Sequence, residues 1–218
     1  MKTQILSLLC CLFAWLLPVQ AQDSPDILKF SWKKVADRMP DEWYGSQQAR
    51  ASFDKGIGCI LKTQIRVDGK PTVWCAQHDE HTFAPAPARA YELASFSGAE
   101  SASIVALLMS IPDPSPEIVA AVKGAVAWFE THAVKDIRVE RVPDGSPKGD
   151  ARVVSAPGNV LWARFYDLET GKPFFCGRGG GKHATLAEVE KERRGGYAWY
   201  TNAPQRVLDR YAKWISGI

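Results

Sequence analysis

Apolar residues recur at three- and four-residue spacing over most of this chain, and that period narrows its fold more than any other feature. Ser46 to Val67 carries Ala49, Phe53, Ile57, Ile60, Leu61 and Ile65 in this pattern and stops at Asp68-Gly69, which predicts an amphipathic helix. Pro25 to Met39 reads likewise, with Ile27, Leu28, Phe30, Trp32, Val35 and Ala36, and Pro40 ends it. Ser97 to Ile111 is apolar and rich in small residues up to Pro112. Ser115-Pro116-Glu117 then opens a helix through Val119, Val122, Val126 and Phe129, with a cap residue followed by Pro in the first turn. Thr185 and Glu188 have capping-box spacing and start a charged helix to about Arg194. A last helix from Pro204 places Val207, Leu208, Tyr211 and Trp214 on one side. Gly- and Pro-rich connectors (Pro71 to Ala88, Pro143 to Asn159, Cys176 to Lys182) separate these segments, and Val139 to Val142 and Leu161 to Tyr166 read as short strands. The expectation is one mostly α domain with long loops and a few short strands. Such loops are where a polysaccharide-sized groove would be built.

The N-terminus reads as a leader. Lys2 supplies a positive start, Ile5 to Leu17 is apolar except for Ser7, and Val19-Gln20-Ala21 suits signal peptidase. The apolar run is shorter than the roughly 20 residues of a spanning helix. Residues 1–21 are therefore expected to be a signal peptide and 22–218 a secreted or periplasmic domain with no membrane anchor. Cys59, Cys75 and Cys176 remain after cleavage, an odd number that cannot all pair. Either one is buried and free, or all three are packing residues. The charge of +3, from 27 Lys and Arg against 24 Asp and Glu, is no nucleic-acid footprint.

Several candidate chemistries fall to spacing. His78-Asp79-Glu80-His81 does not fit the zinc-protease helix, which needs two His four apart with Glu beside the first. Adjacent loop residues also point different ways, so a solvated or hydrogen-bonded loop is the better reading. Gly177 to Lys182 superficially resembles a phosphate loop, but His183 stands where Ser or Thr is required, and nucleotide binding is rejected. The serines around Gly98 form no nucleophile elbow, and small residues at helical spacing point to close helix packing. Trp74, Trp128, Trp162, Trp199 and Trp214 are spread along the chain, as core residues would be.

The informative set is cationic. Arg89 follows Pro85-Ala86-Pro87-Ala88 at a stiff loop junction and precedes Tyr91-Glu92. Arg164 lies within Leu161-Trp162-Ala163-Arg164-Phe165-Tyr166, and Arg178 follows Phe174-Phe175-Cys176-Gly177. Arginine embedded in aromatic sequence is rarely fully exposed, and burial demands an anionic partner. Two readings stay open. One is structural ion pairs with Asp167, Glu169 or Glu92. The other is a row of planar forks for substrate carboxylates, which Arg suits better than Lys.

Ordered blocks then add a resemblance. Trp74-Cys75-Ala76-Gln77-His78-Asp79, Pro87-Ala88-Arg89-Ala90-Tyr91-Glu92 and Ser95-Phe96-Ser97-Gly98-Ala99-Glu100-Ser101 resemble the family 10 pectate lyases. So do Leu161 to Thr170, Phe174 to Arg178 and Arg193 to Tyr200; together the blocks cover about Arg50 to Trp214. The resemblance implies an exported enzyme of α/α toroid-like helical fold, here truncated, that cleaves polygalacturonate by calcium-assisted β-elimination. It puts the family's proposed base, an arginine, at Arg89. Arg164 and Arg178 become substrate-binding residues, with His78 and Asp79 shaping the substrate loop nearby. The sequence departs from the family pattern in two places. Ala36 to Gln48 resembles the start of the family domain, yet Arg50 onward already matches its middle, and the Asp-containing blocks that supply calcium ligands are absent. Gly179 also stands where an Asp is expected. These departures leave the metal ligands unknown. They set against the lyase an alternative, a non-catalytic polyuronate-binding or structural remnant.

Overall fold

The computed structural model describes residues 47–218. The leader read at 1–21, the helix read at Pro25 to Met39 and the block from Ala36 to Ser46 lie outside the described residues. Helix α1 (Gln47–Thr63) ends where Thr63 donates its hydroxyl to the Cys59 and Ile60 carbonyls at 3.0 Å. A short hairpin follows, β1 (Arg66–Val67) and β2 (Lys70–Pro71), turning on Asp68 and Gly69, both at positive φ. The connector from Thr72 to Ser95 leads to β3 (Phe96–Ser97). Ser97 then caps α2 (Gly98–Leu108), its hydroxyl accepting the Glu100 N–H. Ser115 likewise caps α3 (Pro116–Thr131), as its Ser-Pro-Glu start predicts.

After α3 the chain departs from expectation. Strand β4 (Val134–Val142) pairs antiparallel with β5 (Asp150–Ala163), a hairpin of nine and fourteen residues. Short strands β6 (Phe165–Tyr166), β7 (Phe175–Cys176), β8 (Lys182–His183) and β9 (Tyr200–Thr201) follow. The Thr185–Glu188 capping box forms, but it opens only a 3-10 turn (Leu186–Glu188), and α4 (Lys191–Gly196) is separate and short. Helix α5 (Ala203–Ile215) ends the fold.

The mostly α, toroid-like expectation is therefore wrong. Of the described residues, 38% are helical and 25% are in strand, in four small sheets. Two features hid the large hairpin. Its residues are mostly exposed or half-buried, so a one-sided period-2 pattern never develops along β4. Its second strand also contains Pro157-Gly158-Asn159, which read as a connector. These residues form a bulge, because pairing steps from Lys135↔Val160 to Ile137↔Ser155 across a single residue, Asp136. The Asp136 carboxylate accepts the Gly158 N–H at 2.7 Å, and Pro157 sits where no ladder donor is needed.

Two apolar clusters hold the fold. The larger joins α1, α2, α3 and α5 to β5 through Trp74, Leu108, Val122, Phe129, Trp162 and Val207, all at most 1% exposed. Its indoles are satisfied internally. Trp74 donates to the Ile60 carbonyl at 2.7 Å, and Trp162 to the Phe129 carbonyl at 2.9 Å. Gly98 starts α2 here because a Cβ would sit 2.5 Å from the Ala163 carbonyl oxygen, which bears out the small-residue packing reading. The smaller cluster packs Phe165, Phe174, Phe175, Cys176, Leu186, Val189 and Trp199. Cys59, Cys75 and Cys176 are all free, Cys75 and Cys176 fully buried, so they serve as packing residues. Among the described residues no helix is long and apolar enough to cross a membrane.

Candidate active site

The smaller cluster carries the arginines on its surface. Tyr91 and Tyr197 pack against it, and their rings collect guanidinium groups. Arg89, Arg178 and Arg193 lie 5.3, 5.2 and 4.3 Å from the Tyr91 centroid; Arg164 and Arg193 lie 4.8 and 4.1 Å from that of Tyr197. Three predicted arginines, far apart in sequence, thus meet on one face.

Each predicted arginine also has a carboxylate. Arg89 sits in a tight turn in which the Glu92 N–H donates to the Arg89 carbonyl at 2.9 Å. Its guanidinium grips Glu92 with both Nε (2.8 Å) and Nη2. Glu92 accepts in addition the Tyr197 hydroxyl at 2.6 Å. Burial works to raise the Glu92 carboxyl, but the Arg89 fork and the tyrosine hydroxyl outweigh it and leave it below the usual range. The same fork raises the Arg89 guanidinium still further above its ordinary value. The side chain is nonetheless 59% exposed, so its outer N–H groups face solvent.

Arg164 is fixed at its backbone by donation to the Trp199 carbonyl at 2.8 Å, and its Nη2 pairs with Glu100, the first-turn acid of α2 that also takes the Ser97 hydroxyl. Its Nε is buried with no hydrogen-bond partner among the described residues. Arg178 forks onto Glu192 at 2.8 to 3.2 Å, and its backbone N–H donates to Glu190 at 3.1 Å. Two of the glycines around it, Gly177 and Gly180, sit at close approaches. A Cβ on Gly177 would lie 2.5 Å from the Glu190 carboxylate, and one on Gly180 (φ +77°) 2.6 Å from the Ala90 carbonyl. The Gly-Arg-Gly-Gly-Gly-Lys segment is thus a tight turn docked beside Arg89.

His78 and Asp79 have other work. His78 is buried, with Nε2 accepting the Cys75 N–H at 3.2 Å and Nδ1 3.0 Å from the Phe83 carbonyl, a pattern that requires the neutral ring with its proton on Nδ1. Burial lowers its pKa, although the contact with the Phe83 carbonyl works the other way. Asp79 Oδ1 accepts from the His81 N–H, the Thr82 N–H and the Thr82 hydroxyl, an Asx turn. Both residues pin the loop that leads to Arg89.

Glu92, one of the partners that the ion-pair reading names, does hold Arg89. Three contributors escaped sequence reasoning: Tyr197, hydrogen-bonded to Glu92, Glu100 behind Arg164, and Arg193. Arg193 is 5% exposed, stacked between Tyr91 and Tyr197, and donates to the Cys176 and Tyr91 carbonyls at 3.3 and 3.4 Å. The signal that found Arg164, an arginine in aromatic sequence, is present in Arg193 to Tyr200 as well. Arg89, Arg178, Arg193, Lys148 and Glu192 line a cavity of about 190 Å³.

The calcium expectation does not fit these residues. Among the described residues no group of three or more His, Cys, Asp or Glu side chains gathers as a metal site, and Glu92, Glu100 and Glu192 are each taken by a guanidinium.

The site is thus an arginine-lined, carboxylate-buffered face beside an aromatic cluster. A family model described as pectic acid lyase matches residues 27–208, so the chain belongs to that family. Among solved structures it is similar to a family 10 polysaccharide lyase from Cellvibrio cellulosa, with 35% identity, a TM-score of 0.69, and 86% of this chain and 58% of that chain covered. It is similar also to an Asp-to-Ala mutant of a family 10 polysaccharide lyase from the same organism in complex with trigalacturonic acid, at 36% identity and a TM-score of 0.66, covering 78% and 53%. The chain thus spans little more than half the length of these structures. No curated protein sequence matches it significantly.

Proposed function

We propose that this protein is an exported pectate lyase that holds polygalacturonate by its carboxylates on the face formed by Arg89, Arg164 and Arg178. The observation that carries the reading is the convergence of these three guanidinium groups on Tyr91 and Tyr197. The trigalacturonic acid complex of the similar lyase supports a uronate substrate, and the sequence at Met1 to Ala21 supports export. In the elimination a base takes the C5 proton, α to the carboxylate, the pair of the C5–H bond becomes the C4–C5 double bond of the new non-reducing end, and the glycosidic oxygen leaves C4 with the C4–O pair and takes a proton from solvent. Arg89 stands in the position of the base. Arg164 and Arg178 hold neighbouring carboxylates and stabilise the charge that develops as C5 loses its proton.

One observation favours a second reading, binding without cleavage. The Glu92 fork holds Arg89 protonated, and a protonated guanidinium accepts no proton. A single assay separates the two. Polygalacturonate is incubated with the full chain at alkaline pH, with and without added calcium, and the ultraviolet absorbance of the unsaturated product is followed. The lyase reading expects product that Arg89→Ala abolishes. Polygalacturonate binding that Arg164→Ala weakens, with no product in any condition, refutes cleavage and leaves the binding reading. Absence of binding overturns both.

A further inference from the structure

We infer that Lys148, at the tip of the β4–β5 hairpin, is a further substrate-binding cation that takes the carboxylate of a uronate unit beside those held by Arg89 and Arg178. The inference rests on the polygalacturonate reading. It starts from how firmly the hairpin tip is tied down. Asp144 pairs with Lys191 of α4 at 2.6 Å and also accepts the Ser146 N–H at 2.9 Å. Asp150 receives both arms of Arg194 at 2.9 and 2.7 Å, and Arg141 donates to the Gly195 carbonyl. An exposed connector with several charged anchors on one helix is a placed wall rather than a loose turn.

That wall puts Lys148 over the end of α4. A Cβ on Gly196 would lie 3.0 Å from Lys148 Cδ and 3.3 Å from Nζ, so the glycine leaves room for the lysine stem to lie flat. Lys148 lines the same cavity as Arg89, Arg178 and Arg193. The carboxylate there, Glu192, is already held in the Arg178 fork, and the N–H groups of buried Arg193 go to carbonyl oxygens. Positive charge is in excess, and the cavity suits an anion. A compact ammonium imposes no planar geometry, so it accepts a carboxylate in several orientations, where the forked arginines demand one. Its contribution is a preference for free uronate over the neutral methyl ester.

The test compares binding of the full chain to de-esterified polygalacturonate and to highly methyl-esterified pectin at fixed, moderate ionic strength, by calorimetry or affinity electrophoresis. Lys148 is exposed, so its substitution leaves the thermal midpoint unchanged. Lys148→Gln is expected to weaken polygalacturonate binding about threefold, and Lys148→Glu about tenfold, as for loss and reversal of one exposed charge contact. Lys148→Arg is expected to retain affinity, and esterified pectin to bind all variants alike. Lys123→Glu, an exposed charge reversal on α3 outside the cavity, is the control. If Lys148→Glu binds polygalacturonate as Lys123→Glu does, Lys148 has no such role while the polygalacturonate reading stands. If the unaltered chain binds no polygalacturonate, that reading falls and takes this one with it.

Discussion

The two apolar clusters of this protein do different jobs with similar residues. In the larger one, aromatic rings face other apolar groups and their polar atoms end on backbone carbonyls, as with Trp74 and Trp162. In the smaller one, the rings of Tyr91 and Tyr197 face cations. The first derives its stability from area removed from water. The second adds cation–π contact and shared carboxylates, which fix where charge sits while leaving it in reach of solvent. Rigid support and a charged face are thus separated in space, and perturbing them should give separable effects.

The largest expected effect lies in the larger cluster. Phe129→Ala removes a ring with no exposure and should cost about 3–5 kcal/mol, read from denaturant midpoints. A loss of arginine-face binding under conditions where the variant remains folded would break the separation. Next, Gly98→Ala drives a Cβ into the Ala163 carbonyl at 2.5 Å and should cost about 1–3 kcal/mol. Stability equal to that of the unaltered chain would show that the helix start can shift. At the boundary between the regions, Arg193→Lys keeps the charge and loses the planar stack between two tyrosines. A cost of about 1–2 kcal/mol is expected in thermal melts.

A smaller effect is a pH dependence. His78 has its pKa lowered from 6.5 by burial, so the unfolded chain takes up a proton more readily than the folded one. Stability is then complete above pH 6.5 and is lost as pH falls below it through the folded pKa. His78→Gln should flatten that slope in urea titrations between neutral and mildly acid pH, and an unchanged slope would assign it to other groups. Smallest in stability is Arg178→Ala. Its fork with Glu192 is exposed and counts for little in folding, so the melting midpoint should not move while polygalacturonate retention weakens. A large drop in the midpoint would make Arg178 part of the scaffold.

The sequence reads well where one element obeys one local rule. Ser115 caps its helix as the Ser-Pro-Glu start predicts, and Asp68-Gly69 turns the chain after α1. Trp74, Trp128, Trp162 and Trp199 are core. It reads badly where the evidence is two-sided. The β4–β5 hairpin is recognisable only when Val139 meets Val153 across the ladder, and the Pro157-Gly158 bulge imitates a loop to any local reading. The candidate site divides in the same way. The arginines stand out by their aromatic neighbours, whereas Glu100 and Tyr197 carry no local mark of their part.

By itself the chain's order of residues determined helices α1, α2, α3 and α5, the Ser115 cap, the family and the three arginines, because each rests on spacing within a few positions or on contiguous blocks. Tertiary structure alone decided that the domain is mixed rather than mostly helical, that Glu100 and Glu192 neutralise Arg164 and Arg178, and that Lys148 stands over Gly196. The physical reason is range: a cap or a turn is satisfied by its own neighbours, while a strand partner and a counter-ion are supplied by whatever distant segment the packing brings alongside.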